Sequence, residues 1–138
     1  STVPVAYGAN CGVGASEMVT SLQNMAMCAK EGDVLVSKSN CGIPEYVDGA
    51  IRYTGTPELM ADYARIAVDS GIKIIGGCCG TLPDHLRAMR EALDTQPRGE
   101  RPTLDQIVEK LGGFSSASDG TGDDSGAPKR ERRSRRRG

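Results

Sequence analysis

Three cysteines occupy positions from which they could act together on one chemical group. Cys78 and Cys79 are adjacent in the stretch KIIGGCCGTLPDH, and Cys11 follows GAN near the start of the chain. Adjacent side chains on a regular strand point to opposite faces. Both thiols can reach one atom only where the backbone is irregular, which the flanking glycines permit. We therefore expect a short loop that directs two thiols at a shared ligand.

A set of three thiols suits zinc, which favours tetrahedral thiolate coordination with bonds of ~2.3 Å. Three protein ligands leave a fourth position open, and an open position is typical of a catalytic site. A substrate thiol is a soft ligand for that position and would bind as the nucleophilic thiolate. The residues thus favour transfer of a group, such as the methyl of a cationic donor, to a thiol. For Cys78 and Cys79, a redox-active pair or core packing are the alternatives.

The elements that must position these thiols are three short apolar segments, each flanked by Gly or Asn, which predict buried parallel strands. The segments are 3–7, 33–37 and 73–77. Helical spacing of apolar residues fills the gaps between them, so the order of elements predicts an α/β fold with a parallel sheet.

Capping signals locate several helix boundaries. The first helix spans the apolar stripe from Ala15 to Ala29, and Thr56 and Pro57 suit the start of the second. A third helix follows TLPDH, with Leu86, Met89 and Leu93 expected to face inward. A last short helix is predicted from Leu104 to Leu111, where Thr103 and Gln106 fit a capping box.

A weak repeat places other candidate residues near the thiols. SNCG at 39–42 echoes ANCG at 9–12, and each follows a predicted strand, on the face where α/β folds place their chemistry. Asn10 is a candidate to orient Cys11 or to contact substrate. Cys41 is expected to pack near the pocket, with a ligand role as the alternative.

Two further residues are expected to be structural. Cys28 lies on the first helix, and we expect it to be inert. His85, the one histidine in the sequence, is expected to make a local hydrogen bond rather than to act as a ligand or base.

The motifs GANCG and GGCCGTLPDH, at this separation, resemble those of the homocysteine S-methyltransferase family over roughly residues 3–93. The resemblance implies a zinc enzyme on a (β/α)₈ TIM barrel that methylates homocysteine to methionine. It also implies that Cys11, Cys78 and Cys79 are the Zn²⁺ ligands. A complete barrel needs eight strands in about 250 residues. Residues 1–113 therefore correspond to the last three βα units, and we expect this part to be inactive alone.

The resemblance leaves the methyl donor open. We expect betaine, partly because the segment RPTLDQIVEKLGGF resembles an extension beyond the barrel rather than a linker. S-methylmethionine, or a corrinoid or folate donor, is the alternative within the enzyme class. From a different class, an inactive fragment would serve as a zinc-binding or interaction module. Expected partners are homocysteine, the donor, and either another copy of the chain or the missing N-terminal half of the barrel.

Composition indicates which kinds of protein this chain is not expected to be. Five cysteines, an odd number with one adjacent pair, indicate a reducing cytoplasm rather than a disulfide framework. No apolar run of membrane-spanning length occurs. The segment 129–138 holds seven of the 17 basic residues and one of the 18 acidic ones, so the rest of the chain is acidic. Residues 114–138 are predicted to be disordered. No aromatic and basic platform accompanies them, so specific nucleic-acid binding is not expected.

Overall fold

The computed structural model describes residues 3–114. Its elements in chain order are β1 (Tyr7–Asn10), α1 (Ala15–Cys28), β2 (Leu35–Ser39), β3 (Pro44–Val47), β4 (Ala50–Tyr53), α2 (Pro57–Asp69), β5 (Ile74–Gly77), α3 (Pro83–Thr95) and α4 (Leu104–Leu111). The predicted disordered segment 114–138 lies, apart from Phe114, outside the described residues.

A parallel sheet carries the architecture, with β2 between β1 and β5. Tyr7 pairs with Leu35, and Val36 pairs with Ile74, so the three strands end at the same edge. Because α1 and α2 lie between successive parallel strands in the chain, the predicted α/β class is confirmed. Within the described residues, β1 and β5 each have one edge without a partner strand. This arrangement is compatible with part of a (β/α)₈ barrel.

The predicted strand boundaries need correction. The first strand was expected at 3–7 but begins at Tyr7, and Val3 and Val5 are 83% and 92% exposed. The first backbone bond to the neighbouring strand runs from the Tyr7 N–H to the Val34 carbonyl, so the earlier residues have no partner in β2. The second strand was expected at 33–37 and instead ends at Ser39.

An antiparallel hairpin of β3 and β4, inserted between β2 and α2, was missed by the sequence reading. Its signal was present in the turn Asp48-Gly49, because Asp-Gly between two short strands is a strong hairpin indicator. Both turn residues have positive φ, 51° for Asp48 and 79° for Gly49, as a type I′ turn requires. Each strand of the hairpin is only four residues long, which gives little periodicity to detect.

Two predicted helix starts are confirmed. The Thr56 hydroxyl accepts a hydrogen bond from the Leu59 N–H, and Pro57 begins α2. Thr103 and Gln106 form the reciprocal capping box of α4.

The inward face of α3 was partly wrong, because Leu86 is 49% exposed. Met89 is buried, as expected, and Leu93 is partly buried against the core. The other buried positions are His85 and Ala92, which lie one turn to either side of Met89 on the same face. The buried face of α3 therefore follows His85, Met89 and Ala92, whereas the sequence predicted Leu86, Met89 and Leu93.

The hydrophobic core lies between the sheet and the helices. Its largest fully buried side chains include those of Met18, Leu22, Met60, Tyr63 and Ile107. Ile107 belongs to α4, which packs on α1 and α2 and so forms part of the folded unit. No helix within residues 3–114 combines the length and apolar character needed to cross a bilayer. Burial on the helical side leaves the carboxyl ends of the strands free to carry a site.

Candidate metal centre

The three predicted ligands meet at the carboxyl edge of the sheet. Cys11 is the first residue after β1, Cys78 is the first after β5, and Cys79 follows in the loop. Their sulfur atoms all lie within 4.8 Å of one another. Cys11 and Cys79, 68 residues apart in the chain, have their sulfurs 3.6 Å apart, and the Cys78 and Cys79 sulfurs are 3.9 Å apart. The predicted convergence is therefore observed, whereas the role of these residues as ligands stays a prediction.

The donor set fits zinc in both chemistry and spacing. Tetrahedral zinc with Zn–S bonds of ~2.3 Å places sulfur atoms about 3.8 Å apart. The separations of 3.6 and 3.9 Å lie on either side of that value. All three residues are half-buried, so the cluster is accessible from solvent.

Strand β2 holds both cysteine segments in place. The Cys11 N–H donates to the Lys38 carbonyl at 2.9 Å, and the Cys78 N–H donates to the Ser39 carbonyl at 2.7 Å. Cys11 also has a φ of 63°, in the left-handed region that non-glycine residues seldom adopt. Such conformations cost about 1–3 kcal/mol and tend to occur where function requires them. This turn out of β1 helps to direct the Cys11 side chain toward the loop.

Asn40 is the site residue that the sequence reading did not identify. It is the first residue after β2 and only 5% exposed. Its side-chain oxygen accepts hydrogen bonds from the Cys11 thiol at 3.3 Å and from the Cys79 N–H at 3.2 Å. One amide oxygen thus links the two cysteine segments. The repeated Asn-Cys-Gly triplet was a signal, but it drew attention to Cys41 rather than to Asn40.

Asn10, the predicted partner of Cys11 or of substrate, is exposed at the end of β1. Side-chain partners of the Cys11 thiol include Asn40 and Cys79. Asn40 therefore makes the orienting contact expected of Asn10. A contact between Asn10 and substrate stays a prediction.

The thiols influence one another's ionisation. A hydrogen bond from the Gly12 backbone, followed by those from Cys78 and Cys79, lowers the pKa of the Cys11 thiol. The hydrogen bond with Cys11, together with partial burial, raises the pKa of Cys78. The two thiols therefore titrate as a coupled pair, in which the thiolate form is favoured more at Cys11 than at Cys78.

Comparison with known proteins identifies the family of the chain that carries these thiols. The homocysteine S-methyltransferase family model matches residues 1–93, which include the three thiols and Asn40. This chain belongs to the homocysteine S-methyltransferase family. The match ends within α3, so α4 lies outside it.

Two relatives illustrate this membership. The chain is 35% identical over 101 residues to a methionine synthase from Mycobacterium leprae, covering 68% of this chain and 8% of that protein. It is 39% identical over 92 residues to an S-methylmethionine–homocysteine S-methyltransferase from Pongo abelii, covering 67% of this chain and 22% of that protein. The chain thus spans less than a quarter of the length of either relative.

The other candidate residues, Cys41, His85 and Cys28, lie outside the thiol cluster. Cys41 is fully buried, its thiol donates to the Gly55 carbonyl at 3.3 Å, and burial raises its pKa. The His85 Nδ1 atom accepts from the Leu82 N–H at 2.9 Å, and its Nε2 atom lies 3.1 Å from the Gly55 carbonyl. The expected local hydrogen bond of His85 is therefore confirmed. Cys28 is exposed on α1.

Proposed function

We propose that this chain supplies the metal-binding part of an enzyme that transfers a methyl group to the thiol of homocysteine, giving methionine. The observation that carries the proposal is the convergence of Cys11, Cys78 and Cys79 from two strand ends, with sulfur separations that suit one zinc ion. Membership of the homocysteine S-methyltransferase family supports the reaction class.

The chain's own residues have distinct tasks in this proposal. Cys11, Cys78 and Cys79 would hold Zn²⁺, which when bound supplies a Lewis acid that favours the thiolate form of a substrate thiol at neutral pH. Three thiolates carry more negative charge than the ion neutralises, which keeps a neighbouring substrate sulfur electron-rich. The Asn40 side-chain oxygen holds the Cys79 backbone N–H, and it also accepts from the Cys11 thiol before that thiol ionises. The exposed side chain of Asn10, at the same edge of the sheet, is proposed to contact homocysteine.

The proposed donor is betaine, a small cationic methyl compound. The name of the Pongo abelii relative specifies S-methylmethionine, which makes that sulfonium compound the first alternative. A corrinoid or folate donor is the second alternative, and the name of the Mycobacterium leprae relative, a methionine synthase, agrees with methionine as the product without specifying a donor. We further propose that the rest of a (β/α)₈ barrel contributes the contacts to the amino acid part of homocysteine, so that the described residues alone are inactive.

The test measures methionine formation by the protein at its full natural length, loaded with zinc, with homocysteine and each donor in turn. Turnover with betaine alone supports the whole proposal, and turnover with another donor corrects the donor while retaining the reaction. X-ray absorption at the zinc edge is expected to show three sulfur neighbours without homocysteine and four with it. Stoichiometric zinc without turnover from any donor would instead favour a zinc-binding module.

A further inference from the structure

The hairpin of β3 and β4 presents one apolar, partly aromatic face beside the thiols. Directly paired residues share a face of an antiparallel pair, and so do residues two apart along a strand. The pairs Pro44–Tyr53 and Tyr46–Ile51 therefore lie on the same side. Tyr46 and Ile51, farther along the hairpin, are 78% and 64% exposed, whereas Tyr53 at its base is half-buried against the core.

The base of the hairpin is tied to the cysteine loop through Gly55. The Gly55 N–H donates to the Cys41 carbonyl at 2.9 Å, and the Gly55 carbonyl receives the Cys41 thiol. A Cβ atom at Gly55 would lie 2.5 Å from the Cys41 carbonyl carbon, so the close approach requires glycine. The Cys41 N–H in turn donates to the Cys79 carbonyl at 2.9 Å. A short hydrogen-bonded path therefore connects Tyr53, two residues before Gly55, with the metal loop.

Tyr53 itself contacts the loop through its ring. Its ring packs on Gly80, where an added Cβ would lie 2.4 Å from the Tyr53 Cβ and 2.5 Å from its Cγ. Gly80 also has a φ of 77°, so both the backbone and the ring require glycine there. A hydrogen bond with Cys79, followed by partial burial, raises the pKa of the Tyr53 hydroxyl, in agreement with the position of the ring beside the thiol loop.

We propose that Tyr53 is a positioning residue for the metal centre, which donates a hydrogen bond from its hydroxyl to the Cys79 sulfur while its ring packs on Gly80. The inference rests on the proposed function, because it assumes that Cys79 binds a metal. The hydroxyl fixes the direction of the Cys79 side chain and withdraws electron density from its sulfur. Groups that hydrogen bond to metal ligands commonly tune both affinity and electronic character.

The hydroxyl and the ring can be separated experimentally. A phenylalanine at position 53 keeps the packing on Gly80 and removes only the hydrogen bond. Tyr46 offers the matched control, because it carries the same side chain on the same face of the same hairpin but is 78% exposed. In this proposal, Tyr53→Phe removes a hydroxyl that faces a thiol, whereas Tyr46→Phe removes one on an exposed side chain.

The experiment loads the protein at its full natural length with Co²⁺ and records the cobalt–thiolate charge-transfer absorption. Zinc affinity is measured in parallel by competition with a chelator. Tyr53→Phe is expected to move the absorption to longer wavelength, because a thiolate without its donor gives up an electron more easily. It is also expected to weaken zinc binding on the order of tenfold. Tyr46→Phe is expected to match the wild type in both measurements.

An absorption band and a zinc affinity in Tyr53→Phe that both equal those of the wild type would overturn the proposal. Tyr53→Phe could also melt at a lower temperature without metal. In that case the position of the absorption band distinguishes the two roles of Tyr53. A purely structural role changes the amount of metal bound and leaves the transition energy of the loaded centre unchanged. A wild-type protein that shows no cobalt–thiolate absorption would refute the proposed metal centre itself. That outcome is distinct from the failure of Tyr53 alone.

Discussion

Two copies of the triplet Asn-Cys-Gly lie at the ends of neighbouring strands. One copy presents its cysteine to the metal centre, and the other presents its asparagine. After β1, Cys11 enters the thiol cluster and Asn10 is exposed. After β2, Asn40 reaches the cluster through its side-chain oxygen, and Cys41 is fully buried in the core. Identical residues in identical order therefore perform different tasks.

The difference arises from where each strand ends. Asn10 is the last residue of β1, so Cys11 is the first residue beyond it. Ser39 is the last residue of β2, so Asn40 takes the corresponding place. Cys78 is likewise the first residue after β5. In all three cases the first residue beyond the strand faces the site, and a shift of one residue exchanges an amide for a thiol.

The largest expected effect separates the two cysteines of the repeat. Cys11→Ser should reduce bound zinc from one per chain to nearly none and abolish methyl transfer, because a hydroxyl is a poor substitute for a thiolate. Cys41→Ser should retain zinc, because the Cys41 thiol bonds to the Gly55 carbonyl instead. Metal analysis of the purified proteins provides the measurement.

Cys78→Ser and Cys79→Ser should behave as Cys11→Ser does, and Cys28→Ser, which alters an exposed thiol, serves as the control. Full zinc content in all three variants of the cluster would show that the ligand assignment is wrong. Loss of zinc from Cys41→Ser would remove the distinction between the two triplets.

A smaller effect should separate the two asparagines. Asn40→Ala removes the acceptor that holds the Cys79 N–H and so the position of the cysteine loop, and zinc affinity should therefore fall roughly 10- to 100-fold. Asn10→Ala should leave zinc affinity unchanged and raise the KM for homocysteine, if Asn10 contacts substrate. Chelator competition and steady-state kinetics give the two values. Equal zinc affinities in the two variants would contradict the role assigned to Asn40.

The smallest effect concerns stability. Cys41→Ala removes one fully buried heavy atom and should lower the free energy of unfolding by about 1 kcal/mol, as for loss of one buried methyl group. Cys28→Ala changes an exposed position and should have little effect. Denaturant unfolding of the two variants tests the difference. Equal stabilities would mean that Cys41 does not pack in the core as the structure indicates.

Local signals predicted much of the framework. The apolar segments, the cap at Thr56 and the capping box at Thr103 were enough to order the parallel strands and helices. These features depend on neighbours within a few residues, so the sequence carries them directly. The hairpin turn at Asp48 was also a local signal, although it was overlooked.

The sequence by itself determined that Cys11, Cys78 and Cys79 belong together, because thiols at strand ends beside glycines are recognisable as a motif. Only the tertiary structure decided which asparagine supports them and that Tyr53 covers their loop. The choice between Asn10 and Asn40 depends on the residue at which each strand stops pairing. The contact of Tyr53 depends on how a hairpin folds back against a loop more than 20 residues later. The choice of asparagine and the position of Tyr53 both depend on hydrogen bonds between segments that are distant in the chain. A local sequence pattern cannot predict such bonds.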